Sequence, residues 1–496
     1  MVLSMDWELF PMDTRVLVFA VIIIILLGLG IYSVSADNED DSPGAVNKRA
    51  LDGVLTSMYK DGEHDYPARL MVLGNVNADD VIDDTDLELA KAIVGTDYDY
   101  VESYMADANY DGLIDENDIV IIGQLIDHNG FNGVVNYINC DFKVRQYDMS
   151  VPLRTSNILT QTLQMLCILA PESVVAVDDR CTNGPTAHGT YWKEFASVLD
   201  YSKLGSVGSH KSPNAEKYLM VARQYGDGYL TAVMNSEYAQ NTGYMEEQLQ
   251  GSSVQIIRIP SWERGAVDNG MLTLGFLIHR FDTAYEWVKW HDSYMDAIME
   301  KVATLTEDQR VKAAVAVLSD TDTSEMDHFD MNYYASGEFL TLNRLGVINI
   351  GDKYLKELGA SSNEWSVTIS KEQFVSMYQK YGLDVFVGTI AGPYNVAPFT
   401  TRTTSVERIY EMNTTFLDEY CDGVPQLQIY GWEYALGPHD LTYVASLANV
   451  LYGWTEFDVE TIVNESLQWM NIYGTGEYQY TYRDIVHTTI YPNEVG

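Results

Sequence analysis

The stretch from Thr283 to about Leu305 limits how this chain can be assembled. Ala284, Trp287, Val288, His291, Tyr294, Met295, Ile298, Val302 and Leu305 recur at steps of three and four. Glu286, Lys289, Asp292, Asp296, Glu300 and Lys301 fill the opposite face, the pattern of one amphipathic helix. Thr283 with Glu286 reads as a capping box at its start. At about 1.5 Å per residue the helix would span about 33 Å, enough to bridge two bodies. Strand-like runs end just before it (Val254 to Ile259) and resume just after it (Ala313 to Leu318). Two α/β halves joined by a helical spine are therefore expected.

Upstream, residues 16–34 (VLVFAVIIIILLGLGIYSV) form an uncharged apolar run near the length of a bilayer span. Arg15 precedes it and Asp37, Glu39, Asp40 and Asp41 follow. This predicts a single-pass cell-membrane protein with its amino terminus inside and its bulk outside the cell. Val34-Ser35-Ala36 would serve as a cleavage site if the run were a signal peptide instead. Residues 1–36 are thus a cytoplasmic stub with an anchor or signal, and the acidic residues 37–66 read as a spacer. The chain carries 72 acidic and 30 basic residues, a formal net charge of -42. Such an exterior argues against nucleic acid or an anionic membrane surface as partner. Cys140, Cys167, Cys181 and Cys421 are too scattered for a Cys/His zinc site, and in an exported chain their pairing stays open.

The next signal is an internal repeat. Asn75, Asn77, Asp79, Val81 and Asp86 precede a helical run (LELAKAIV), and Asp107, Asn109, Asp111, Leu113 and Asp118 stand at the same spacing before another (IVIIGQLI). Calcium takes six to eight oxygen ligands, and a loop offering side chains at positions 1, 3, 5 and 12 with a carbonyl at 7 wraps it. Two Ca2+ ions are expected. The second loop has Gly112 at its sharp turn, whereas the first has Asp80, which would make it the less rigid binder unless Asp80 adopts a left-handed conformation. Residues 67–128 resemble a type I dockerin module. The resemblance implies a cohesin-like partner, although Asp84-Thr85 and Glu116-Asn117, at the contact positions late in each loop, match no particular specificity pair. A purely structural calcium module in a domain spanning 67–135 is the other reading.

From about Asn136 strands and helices alternate. Ser173 to Val177, Tyr229 to Met234 and Val254 to Ile259 read as parallel strands of a first lobe over 136–282. After the interlobe helix, 283–305, the scheme repeats in 306–496 at Ala313 to Leu318, Val347 to Ile350, Asp384 to Val387 and Gln426 to Tyr430. Several motifs stand in order along this region: VVAVDD, Leu204-Gly205-Ser206-Val207-Gly208, Pro213-Asn214-Ala215-Glu216, LNRLGVINIG and Ser370-Lys371-Glu372-Gln373. Laid out this way, 136–496 resembles the class III substrate-binding proteins of ABC importers, which bind iron-siderophores, haem and cobalamin. The fold class expected is α/β, a two-lobed substrate-binding protein with one interlobe helix, a small helical dockerin-like domain and an N-terminal transmembrane helix. The resemblance implies a small metal-chelate ligand, and an ABC permease that docks on Glu216 and Glu372 at the lobe tips.

Ligands of open α/β sheets sit beyond the carboxyl ends of strands. Positions after the expected strands supply Arg180, Tyr191, Trp192, Trp262 and Arg264 in the first lobe and Tyr334, Tyr394 and Trp432 in the second. Aromatic faces suit a planar chelate, and arginines an anionic one. His188, His328, Tyr333, Tyr430 and Tyr434 are further candidates. No GxSxG, HExxH, P-loop or GxGxxG motif is present, so capture without catalysis is expected. A dockerin-bearing glycoside hydrolase and a calcium-dependent surface adhesion or scaffold protein are the alternatives.

Overall fold

In the computed structural model the described residues are 40–61, 65–128, 130–182, 195, 197–237, 242–262, 266–317, 328–332, 337–360, 366–390, 406–430 and 437–470. The apolar run 16–34 lies outside them, and none of the helices among them is long and apolar enough to cross a membrane.

The segment expected to be an acidic spacer is instead largely a helix, α1 (Pro43–Asp61). Pro43 sits at the first helical position, where its missing N–H costs nothing. Leu51 and Leu55 are buried, while Tyr59 and Tyr66 pack on Phe142 with ring centroids 5.9 and 5.0 Å away. Helices α2 (Asp84–Ile93), α3 (Tyr100–Ser103) and α4 (Glu116–Leu125) follow, with α2 packed on α4. Strands β1 (Val134–Ile138) and β2 (Val144–Asp148) then form an antiparallel hairpin. A bridge from Val72 to Tyr137 ties this hairpin to the loop unit, so the boundary expected at Asn136 falls inside β1.

The first lobe comprises β3 (Thr155–Asn157), α5 (Thr160–Leu169), β4 (Val174–Asp178), β5 (Gly205–Gly208), α6 (Ala215–Arg223), β6 (Leu230–Met234), α7 (Tyr244–Leu249) and β7 (Val254–Arg258). Its sheet runs β5-β4-β3-β6-β7, parallel throughout, so every strand ends on the same edge. Helix α8 (Val267–Leu277) leads into the spine, α9 (Phe281–Ala303).

The second lobe holds β8 (Lys312–Val317), β9 (His328–Asn332), α10 (Gly337–Arg344), β10 (Ile348–Asn349), α11 (Ile350–Glu357), β11 (Ser366–Ser370), α12 (Lys371–Tyr381), β12 (Val385–Ile390), α13 (Val406–Tyr420) and β13 (Gln426–Tyr430). Helices α14 (Asp440–Tyr452) and α15 (Val459–Trp469) complete it. Its sheet runs β11-β9-β8-β12-β13, with β10 also paired to β8. Strand β9 is antiparallel to both neighbours, so this lobe is mixed and not the parallel repeat expected.

The spine begins at Phe281, with no side-chain cap, and Thr283 lies inside its first turn. The capping box read from Thr283 is therefore wrong. The start is set by the turn from α8, where His279 takes φ 57° and Gly275 packs so closely that a Cβ there would lie 2.3 Å from the Ala284 Cβ. The expected stripe is buried at Ala284, Trp287, Val288, His291, Met295, Ile298 and Val302. Glu465 of α15 accepts from Trp290 Nε1 at 2.7 Å and from the Tyr294 hydroxyl at 3.1 Å. One apolar core joins Leu51 of α1, Leu73 and Ile122 of the loop unit, Tyr137, Leu166 of α5, Trp287 of the spine and Leu441 and Ile462 of the second lobe. The loop unit is thus built into the same core as the lobes. All four cysteines are buried, and none forms a disulfide.

Candidate functional site

The edge on which the first-lobe strands end faces the second lobe. Gly437, just ahead of α14, lies so near that a Cβ there would come within 2.8 Å of the Ser261 carbonyl and 2.9 Å of Gln161 Cγ. The base of the cleft is therefore closed by contact between the lobes. Helix α5 is buried over its whole length, yet carries Thr160, Gln161, Thr162 and Gln164. Buried polar groups require partners, and so dense a polar face is what a cleft floor needs and a purely apolar core does not.

At the end of β4, Asp178 is fully buried. Its Oδ2 accepts from Leu159 N at 2.6 Å and Asn157 Nδ2 at 3.0 Å, and its Oδ1 from Arg180 N at 2.7 Å. Burial pushes its carboxyl up to about 7, against the pull of Arg180. These bonds hold Leu159 at φ 74°, a left-handed conformation unusual for a branched residue. Asp179 Oδ1 accepts from His210 N at 3.0 Å and meets His210 Nδ1 at 2.6 Å. Asp178, Asp179 and His210 each offer a ligand atom within 4.8 Å of the others'. His210 stands 31 residues beyond Asp179, and no spacing or motif in the sequence marks it as their partner.

Of the expected ligand residues, Arg180 and Trp262 lie just past β4 and β7, both half-buried, with β3 and β6 between those strands. The structure thus puts both on the cleft edge without bringing them into contact. Tyr191, Trp192, Arg264, Tyr334, Tyr394 and Trp432 lie outside the described residues, as do His188, Tyr333 and Tyr434. His328 starts the antiparallel strand β9, paired with Ser370, and Tyr430 ends β13 beside Ile390.

Glu216 and Glu372 are the second residues of α6 and α12, and both are exposed. Asn214 caps α6 by accepting from Glu216 N at 2.9 Å. Ser370 caps α12 and donates its hydroxyl to Glu372 Oε2 at 2.8 Å, which holds that carboxyl below its ordinary range. Helix α6 follows β5 at the edge where the first-lobe strands end. Helix α12 follows β11, which runs parallel to β8, at the equivalent edge of the second sheet.

The repeated loops have matching geometry. Asp86 Oδ1 accepts from Asn77 N at 3.1 Å and Oδ2 from Asp83 N at 2.9 Å. Asp118 does the same for Asn109 N at 3.1 Å and Asp115 N at 2.8 Å. Position 4 is left-handed in both, Ala78 at φ 61° and Tyr110 at φ 54°. Asp79 and Asp111 Oδ1 each accept from the position-7 N–H, Val81 and Leu113, at 2.9 Å. The loops part at position 6. Gly112 has φ 88° and donates to Asp107 Oδ2 at 2.8 Å, whereas Asp80 is not left-handed and instead accepts from Arg69 Nε at 2.8 Å. Burial pushes Asp86 and Asp107 up and Asp118 up to about 6. Asn75 is fully buried; its Nδ2 donates to the Leu70 and Asp79 carbonyls, while its Oδ1 has no donor on it. An orphaned acceptor at position 1, with buried carboxylates at position 12 of both loops, fits a cation.

Arg69 also reaches Asp268 of α8 at 3.6 Å and Asp292 of the spine at 2.5 Å. His291 stands between Asp268 (Nδ1, 2.8 Å) and Asp440 of α14 (Nε2, 2.8 Å), and Asp440 also holds Arg344 of α10 at 2.7 Å. An ionic chain thus runs from the first loop across the spine into the second lobe.

No protein-family model and no curated protein matches the chain. Solved structures do. The TroA-like periplasmic binding protein FepB of Veillonella parvula is 13% identical, covering 67% of this chain and 95% of its own at a TM-score of 0.50. The molybdate-binding protein MolA of Haemophilus influenzae is 14% identical over 70% and 99%, at 0.47. A periplasmic heme binding protein from Pseudomonas aeruginosa is 14% identical over 61% and 94%, at 0.41. The chain has the mixed α/β, two-sheet fold of periplasmic binding proteins. Those neighbours are binding proteins by name, not enzymes.

Proposed function

We propose that this chain is the outward-facing capture component of an ABC importer, taking an anionic metal chelate into the cleft between its lobes. The observation that supports this most is the placement of Glu216 and Glu372. Two exposed carboxylates open equivalent helices, one on each lobe, along the edges where the strands end. A pair of charges so separated suits docking and orientation against a permease. Arg180 at the cleft edge is the described cation placed to meet an anionic ligand. The work is capture: the lobes hold the ligand away from water, and the permease reads the loaded shape through both tips.

In this reading two Ca2+ ions sit in the loops. Asn75, Asn77, Asp79, the Val81 carbonyl and Asp86 would hold one, and Asp107, Asn109, Asp111, the Leu113 carbonyl and Asp118 the other. Calcium would neutralise the buried carboxylates and supply the charge that Asn75 Oδ1 faces. Asp84, Thr85, Glu116 and Asn117 stay exposed and open to a cohesin-like partner.

The docking assignment is tested by charge reversal. Glu216→Arg with Glu372→Arg should abolish ligand uptake in cells while leaving ligand affinity of the purified chain within about twofold, as expected for substitutions of exposed side chains. Normal uptake by the double variant would overturn it.

A further inference from the structure

The hairpin β1–β2 stands beside β7, the edge strand of the first lobe, without joining its sheet. Two ties hold it there. At one end Asp148 and Gln255 exchange hydrogen bonds, Asp148 N to Gln255 Oε1 at 2.9 Å and Gln255 Nε2 to the Asp148 carbonyl at 3.1 Å. At the other, Arg258 N donates to the Tyr137 hydroxyl at 3.1 Å. Between the ties a pocket of about 230 Å³ stays open, lined by Tyr137, Arg145, Glu246, Gln250, Ser252 and Arg258 among others.

The two arginines in it differ. Arg258 is buried and saturated: Glu246 takes Nε and Nη2, and Asn235 O, Thr242 Oγ1 and Thr242 O accept its remaining N–H groups. Its charge is spent on Glu246. Arg145 has no such partner. Its Nε is buried with no acceptor, and no carboxylate lies within ion-pair distance of it among the described residues. It acts on the Tyr137 and Tyr110 phenols, which burial pushes well above their ordinary range, and Glu246, the carboxylate lining the same pocket, is engaged by Arg258. A chain with 72 acids and 30 bases has left this guanidinium unneutralised beside an open pocket.

We infer that this pocket is a second ligand site, separate from the cleft, that binds a small oxyanion, a carboxylate or phosphate group, on Arg145. A guanidinium presents a rigid fork that matches either group. Gln250 adds hydrogen-bonding capacity to the lining, and the volume suits a metabolite smaller than the chelate assigned to the cleft. The chain's overall negative charge does not forbid this, because at physiological salt, exposed charges beyond about 8 Å are screened while the partly buried guanidinium is not. The pocket runs along β7, from the stretch Leu249 to Val254 that enters the strand to Arg258 at its last residue.

Calorimetric titration of the full chain with inorganic phosphate and, separately, with succinate tests the site and tells the two oxyanion chemistries apart. Saturable binding of at least one is expected, weakened tenfold or more by Arg145→Gln. Ser252→Glu, which sets a carboxylate at the rim and leaves Arg145 in place, should weaken it as well. Three results would overturn the inference: no saturable binding of either anion, wild-type affinity kept in Arg145→Gln, or binding lost in Arg180→Gln and kept in Arg145→Gln. The last would place the anion in the cleft.

Discussion

His291 shows how much one side chain can be asked to hold. It is 1% exposed, stacks on Trp287 with ring centroids 5.0 Å apart, and touches carboxylates from α8 and α14 through its two nitrogens. Burial alone would push its pKa down, but Asp268 and Asp440 outweigh burial and raise it well above the ordinary value. A base raised in this way adds stability that is whole below about 6.5 and fades as pH climbs through the higher folded value. His291→Gln should therefore cost about 3–5 kcal/mol at pH 6, the range for breaking a buried pair, and should flatten the fall in stability on the alkaline side. Urea unfolding at several pH values from 6 to 10 measures both; a variant whose curve runs parallel to the wild type would contradict the assignment. In the sequence His291 reads only as a member of the apolar stripe. Its partners come from positions 268 and 440, and neither sequence distance nor periodicity links them.

The pair α8–α9 is set by a glycine. Because a Cβ at Gly275 would meet the Ala284 Cβ at 2.3 Å and the Arg280 carbonyl at 3.1 Å, Gly275→Ala must force the helices apart. A loss of about 1–3 kcal/mol is expected, read as a lower thermal midpoint; no shift would mean the contact relaxes freely. The spine itself was legible, since a long stripe of three- and four-residue steps has one simple reading. Its start was not, because the turn out of α8 chooses it and no local cap does. The strands β4, β6, β7, β8, β12 and β13 were readable as apolar runs between helices, to within a residue or so for most. The hairpin β1–β2, the three-residue β3 and the antiparallel pair β9–β11 were not, being short, polar or paired through distant residues. Helix α1 was hidden by its charged composition. What fixes it is tertiary: Asn47 Nδ2 donates to the Gly112 carbonyl at 2.8 Å and Lys48 Nζ to that of Tyr110 at 2.9 Å.

Taken whole, the molecule joins its leading helix, loop unit, spine and parts of both lobes in one apolar cluster, beside a smaller cluster within each lobe, where the sequence suggested a chain of modules. Its 42 excess negative charges repel one another in the compact state, and calcium at the two loops would relieve some of that locally. Chelation should therefore lower the midpoint of the entire described body. The loss is about 2.7 kcal/mol if calcium had stood at a hundred times its dissociation constant, which amounts to a shift of a few degrees for a chain of this size. Scanning calorimetry with and without chelator should show the main transition moving as one. A separate early transition for the loop unit, with the rest unmoved, would refute the coupling. The ionic chain from Asp80 through Arg69, Asp292, His291 and Asp440 is the physical route for it.

The contact between α1 and the second loop bears on how such a protein can change over generations. A Cβ at Gly112 would lie 2.1 Å from the Gly44 carbonyl, and one at Gly44 would lie 2.3 Å from that of Asp111. Neither residue can drift without the other giving way. The leading helix and the second loop must therefore change together, and the loop unit could not be traded to another chain without that helix.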